Sequence, residues 1–199
     1  MDSDKFLDLD YQRTKITRYL DSLEVENRRR AFRAMDLAEE QHAGQFRSSG
    51  VPYIIHPIRV ALVLVEEAGI DDNDLLCAAF LHDVIEDGRI GVVQLSNLFG
   101  PEVARLAEAL TRHRPIGESE EEKMENKKKK AQEIGGADER VRIIKLCDVL
   151  DNARSNDFVP ATSPDFYKIP RWKEETKFYL PIAQKTNQRI YELLSWFKE

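Results

Sequence analysis

Apolar residues recur along this chain every three or four positions and almost nowhere every two, the spacing of helices that bury one face. From Lys5 to about Leu23, Phe6, Leu7, Leu9, Ile16, Tyr19 and Leu20 stand among charges with Asp4 as a candidate N-cap, so a first helix is expected there. A second, from Glu26 to about Gln45, carries its stripe on Phe32, Met35, Leu37 and Ala38. Pro57 suits a first helical turn, and Ile58, Val60, Ala61, Leu62, Val63, Leu64 and Val65 continue a nearly unbroken apolar run that Gly69 ends. Asp71 or Asp72 caps a central helix that passes through Leu75 to Leu81 and His82-Asp83 as far as Asp87, where Gly88 stops it. Two short helices, Val92 to Phe99 and Pro101 to Leu110, are split by Gly100-Pro101. Asp138 to Asn156 and Arg171 to Phe197 complete the set, the last bent before Pro181. Tyr53-Ile54-Ile55 is the one strand-like run, and no repeat stands out. The pattern predicts an all-α domain, with residues 1–25 as an N-terminal helical extension.

Composition narrows the function classes. At 199 residues and 42% hydrophobic, the chain buries a sizeable core. With 36 acidic residues against 30 basic, the net charge of -6 argues against long nucleic acid or an anionic membrane as partner. A small phosphorylated ligand, held by a local excess of cations, is not excluded. The acidic start Met1-Asp2-Ser3-Asp4, with no long apolar segment after it, reads as neither a secretory signal nor a membrane span, which points to the cytoplasm. Cys77 and Cys147 sit in apolar runs and read as reduced, buried thiols. The charge run Glu118 to Lys130 reads as a loop and a solvated helix. A homo-oligomer is compatible with all of this.

Chemistry concentrates in Leu81-His82-Asp83-Val84-Ile85-Glu86-Asp87. On a helix, with His82 at zero, Glu86 falls at about 40°, Asp83 at about 100° and Asp87 at about 140°, leaving the other side apolar. One reading is an amphipathic helix with a wet acidic face. The apolar run just before it instead predicts burial, and buried charges need partners or a metal. Neutral imidazole and carboxylate both suit divalent first-row ions. His56 at a helix start, His82 with Asp83, and Asp148 together supply two imidazoles and two carboxylates for a mononuclear site. On the helix of Asp148, Asn152, Ser155 and Lys145 lie within about 60° of it, so that polar face should meet the site. The loop Phe46 to Tyr53, broken by Gly50 and Pro52, is a natural place for ligand contacts.

Three blocks carry a resemblance: His42-Ala43-Gly44-Gln45-Phe46-Arg47-Ser48-Ser49-Gly50-Val51-Pro52-Tyr53-Ile54-Ile55-His56-Pro57, then His82-Asp83-Val84-Ile85-Glu86-Asp87, then Ile144-Lys145-Leu146-Cys147-Asp148-Val149-Leu150-Asp151-Asn152-Ala153-Arg154. In order and spacing they resemble the HD-type hydrolase domain of RelA/SpoT proteins, and the chain is most similar to a small alarmone hydrolase. The resemblance implies an HD-domain helical bundle over residues 26–199 and one manganese ion, or another divalent metal in its place. It implies His56, His82, Asp83 and Asp148 as metal ligands. Glu86 and Asp87 would activate or position the attacking water, and Arg47, Ser48, Asn152 and Ser155 would face the nucleotide. The implied reaction removes the 3′-pyrophosphate of guanosine tetra- or pentaphosphate, giving GDP or GTP and pyrophosphate. Arg112, His113, Arg114 and Lys127 to Lys130 are candidates for the distal phosphates. This chain departs from the pattern at Ser48, where a lysine is common, and at Gly88 and Ser155, where threonine is frequent. Loss of the Ser48-position lysine should weaken discrimination of guanine from adenine. Two other readings stand beside this one: an HD phosphohydrolase for an adenine alarmone or NADPH, and a nucleotide-binding or antitoxin-like module without turnover.

Overall fold

Five helices begin where a short polar side chain accepts a backbone N–H three residues on. Asp8, Asp72, Ser119, Asp138 and Asn187 accept from Tyr11, Leu75, Glu122, Val141 and Ile190. The computed structural model of the chain describes residues 3–86, 90–112 and 117–197. Among them the helices are α1 (Ser3–Leu7), α2 (Leu9–Asp21), α3 (Val25–Gln41), α4 (Ile55–Leu62), α5 (Asn73–Leu81), α6 (Val92–Phe99), α7 (Pro101–Leu110), α8 (Glu120–Gly136), α9 (Glu139–Ser155), α10 (Ile169–Lys177), α11 (Leu180–Thr186) and α12 (Gln188–Leu194). No strand forms among these residues, and the fold is all-α as expected.

Helices α4, α5 and α9 pack on one another at the centre, and the rest enclose them. α2 lies on α4, α3 and α7 on α5, and α8, α11 and α12 on α9. All eight residues of α4 and the apolar run Leu75 to Leu81 of α5 are buried. Continuous hydrophobic stretches become central helices because every face of such a helix meets protein.

The structure departs from the periodicity in five places. The first expected helix is two, since Asp8 caps α2 and divides it from α1. The run after α4 winds as a π-helix over Val63–Glu67, closed by Ala68 N–H to the Val63 carbonyl at 2.9 Å. α5 stops at Leu81 instead of running to Asp87. The His82 ring donates to the Ala79 carbonyl at 2.9 Å, and the chain then tightens into turns in which Val84 and Glu86 N–H reach back three residues. Asp87 and Gly88 lie outside the described residues. The long C-terminal helix is three pieces, because Pro181 opens α11 and Asn187 is extended at φ -152°, capping α12. Tyr53-Ile54-Ile55 is no strand but the entry to α4; the preceding loop closes by an isolated bridge between Phe46 and Pro52.

Candidate metal centre

Three central helices each bring a ligand-type side chain to one point. His56 stands in the first turn of α4, His82 and Asp83 follow the end of α5, and Asp148 lies midway along α9. His56 Nε2 is 3.2 Å from Asp148 Oδ1 and 3.7 Å from Asp83 Oδ2. His82 Nε2 is 3.2 Å from Asp83 Oδ2 and 3.9 Å from Asp148 Oδ1. His56, His82 and Asp148 are buried and present ligand atoms within 4.8 Å of one another, while Asp83 opens toward the surface.

Both rings are locked in the same sense. His56 Nδ1 donates to Asp151 Oδ2 at 2.7 Å and His82 Nδ1 donates to the Ala79 carbonyl at 2.9 Å. With those nitrogens protonated, both Nε2 atoms face the carboxylates, so that a ring without a proton on Nε2 is in the tautomer a metal ligand requires. His82 Nε2 is buried and has no hydrogen-bond partner. A divalent cation fits this donor set and satisfies that nitrogen.

In the ion-free protein His82, Asp83 and Asp148 hold one another in charged forms. Burial alone would lower the His82 pKa, but the carboxylates of Asp83 and Asp148 outweigh it and push it up to about 9. Burial would raise the Asp83 carboxyl, yet the His82 and His56 rings and the Tyr53 hydroxyl hold it well below the usual carboxylate range. Asp148 is held down likewise, against burial, by Lys145 and the two rings.

A second layer fixes the carboxylates. The Tyr53 hydroxyl donates to Asp83 Oδ2 at 2.7 Å, and burial holds that phenol un-ionised. Lys145 Nζ donates to Asp148 Oδ2 at 2.7 Å, and Asn152 Nδ2 to Asp148 Oδ1 at 2.5 Å. Arg47 in turn donates to Asn152 Oδ1 at 2.6 Å and lies 5.3 Å from the centroid of the Tyr53 ring. The centre is the floor of a cleft of about 850 Å³, the scale of a nucleotide site. Arg112, Lys127, Lys130, Lys145 and Arg171 line it, a local excess of cations on a chain of net negative charge. Phe46 and Tyr167 stand exposed at its rim.

Among the other residues singled out in the sequence, Glu86 lines the cleft and its carboxylate accepts from Arg112 N–H at 3.3 Å. Asp87, His113 and Arg114 lie outside the described residues. Ser48 also lines the cleft, but its hydroxyl donates to Asp165 Oδ2 at 2.6 Å. Ser155 reaches the cleft wall with its hydroxyl turned behind His56, accepting from Arg59 at 2.9 Å and donating to the Asp151 carbonyl at 2.8 Å. Sequence reasoning assigned no role to Asp151 or Arg59. A signal was present for Arg59, a lone charge inside an apolar helical run, and it is buried as a pair with Asp151.

Residues 34–187 match the family described as the HD domain, more than half of the chain and all four ligand-type residues. The chain belongs to the HD-domain family. Its HD domain is similar to the mouse guanosine-3′,5′-bis(diphosphate) 3′-pyrophosphohydrolase MESH1, 32% identical over 163 residues that cover 81% of this chain and 88% of that protein. It is also similar to a probable enzyme of the same name from Synechocystis, 39% identical over 156 residues, 77% of this chain but only 20% of that one. The chain thus spans about a fifth of that longer relative. A solved structure described as a metazoan ortholog of SpoT that hydrolyzes ppGpp superposes with a TM-score of 0.73 at 27% identity, covering 84% of this chain and 93% of that one. Among the described residues, no helix is long and apolar enough to cross a membrane.

Proposed function

We propose that this HD domain is a manganese-dependent hydrolase that removes the 3′-pyrophosphate of guanosine tetra- or pentaphosphate. The observation that carries the reading is the pair of buried imidazoles with both Nε2 atoms turned toward two carboxylates at the floor of a cationic cleft. Similarity to MESH1 over most of its length supports the substrate class.

His56, His82, Asp83 and Asp148 would hold the ion, and their mix of nitrogen and oxygen donors suits manganese among divalent metals. When bound, the ion supplies charge to phosphoryl oxygens and lowers the pKa of water. Lys145 keeps Asp148 ionised and aimed, and Tyr53 does the same for Asp83. Glu86, with Asp87, takes the proton of a water that attacks the phosphorus joined to the ribose 3′ oxygen. The bond from that phosphorus to the 3′ oxygen breaks, the oxygen gains a proton, and pyrophosphate leaves. Arg112, Lys127, Lys130 and Arg171 neutralise the phosphates. Arg47 offers the purine a planar cation, its edge fixed by Asn152. Two free, buried cysteines accord with a reducing cytoplasm as the place of work.

The test is product analysis with purified protein and manganese on guanine and adenine alarmones and NADPH. Pyrophosphate together with GDP or GTP is the expected result. Orthophosphate as the sole product would reassign the substrate, and tight binding without multiple turnovers would reduce the protein to a nucleotide-binding module.

A further inference from the structure

Arg59 interrupts the apolar run of α4, yet its side chain is only 4% exposed. Every arm of its guanidinium is engaged. Nε and Nη2 donate to the two oxygens of Asp151 at 2.7 and 3.0 Å, Nη2 also to Ser155 Oγ at 2.9 Å, and Nη1 to the main-chain carbonyl of Phe6 at 3.0 Å. The Phe6 ring covers the guanidinium, 3.9 Å from its carbon to the ring centroid, and stacks on Phe158 at 4.7 Å. On the far side, Asp151 accepts the Nδ1 proton of His56 at 2.7 Å. Three contacts therefore lead from α1 to a ring of the metal centre. α1 precedes the matched residues 34–187, and falls within the segment that the sequence sets apart as an extension.

A buried arginine–carboxylate pair is strong only while water is kept from it, because its attraction grows as the local dielectric falls. Phe6 is 6% exposed and supplies both the apolar cover and a carbonyl for the remaining N–H. Removing the ring would admit water to Arg59, loosen its grip on Asp151, and free the His56 ring to turn or change tautomer.

We infer that Phe6 is a positioning residue for the candidate metal centre: by sealing Arg59 against Asp151 it holds His56 with Nδ1 protonated and Nε2 facing Asp148. In its consequence for metal binding, this rests on the function proposed above. Residues that orient a ligating histidine change metal affinity by about 10- to 100-fold when lost.

The experiment uses the full chain as wild type, Phe6→Ala and the milder Phe6→Leu, which keeps an apolar side chain over Arg59. A control, Leu95→Ala, empties a fully buried site in α6, which packs chiefly on α7. Solvent exchange of the His56 Nδ1 proton is followed by NMR in ion-free protein labelled with 15N-histidine, and manganese affinity by competition with a chelator. Phe6→Ala should speed exchange and weaken manganese binding by about 10-fold or more, and Phe6→Leu should do so in smaller measure. Leu95→Ala should leave both at wild-type values despite a comparable loss of thermal stability. If folded Phe6→Ala and Phe6→Leu keep wild-type exchange and affinity, or if Leu95→Ala shifts both equally, the inference is overturned. A wild type that takes up no manganese while Phe6→Ala still speeds exchange would defeat the metal centre and leave the coupling of α1 to His56 standing.

Discussion

Between two carboxylates, the His82 imidazole of the ion-free protein keeps its proton up to about pH 9, against an ordinary value of 6.5. A metal takes only the neutral ring, so binding must expel that proton. Apparent manganese affinity should therefore fall by about tenfold for each pH unit below 9, and level off above it. Titrations between pH 6 and 9 check this, and a flat profile would show that His82 is no ligand. The sign is opposite for the ion-free fold, where the bound proton stabilises fully below pH 6.5 and the contribution is lost as pH rises through about 9. Glu86 lines the cleft without belonging to the cluster of His56, His82 and Asp148. Glu86→Gln with Asp87→Asn should keep manganese while turnover drops by at least about 10²-fold; equal loss of metal and turnover would make them ligands instead. At Ser48 the structure alters the expectation drawn from sequence. A lysine there would meet Asp165, which already accepts from Ser48 and from Lys168 at 2.5 Å. Ser48→Lys alone should leave the guanine-to-adenine ratio of kcat/KM nearly unchanged, and Ser48→Lys with Asp165→Asn should raise it.

The loop from Phe46 to Tyr53 depends on one left-handed residue. Gly50 has φ 87°, its N–H donates to the Arg47 carbonyl at 2.8 Å, and Arg47 N–H donates to the Val51 carbonyl at 2.9 Å. No atom lies within 4 Å of an added Cβ, so Gly50→Ala bears a backbone cost alone, about 1–2 kcal/mol. That change should lower the midpoint of denaturation and raise KM through Arg47, with manganese affinity unchanged. At α8, the charge run that read as loop and solvated helix is anchored by a capping box, Ser119 exchanging hydrogen bonds with Glu122 at 2.8 and 3.2 Å. The same helix turns Lys123, Lys127 and Lys130 into the cleft. Cations on a helix that periodicity read as solvated thus line the cleft because α8 packs along α9, a placement local pattern does not contain.

For the whole molecule, one ion joining α4, the turn after α5 and α9 would tie the centre of the bundle together. At free manganese about 100 times its Kd the fold should gain about 2.7 kcal/mol, which for a chain of this size moves Tm by about 5–10 °C. Chelation should reverse the shift and Asp148→Ala should abolish it; an equal shift in that variant would place the stabilising ion elsewhere. Much of this architecture was legible in the residues. Helical spacing, a cap such as Asp72, and the largely apolar runs of α4 and α5 specify an all-α bundle with those helices inside, because these signals act within a few residues of chain. Residue chemistry likewise singled out His56, His82, Asp83 and Asp148. What remained to the tertiary structure was everything that depends on a partner distant in sequence. The engagement of Ser48 by Asp165 and the path from Phe6 through Arg59 and Asp151 to His56 join residues by contacts that packing alone creates. A lone arginine in an apolar helix announces that it needs a partner; only the folded chain shows which carboxylate meets it and which histidine that carboxylate holds.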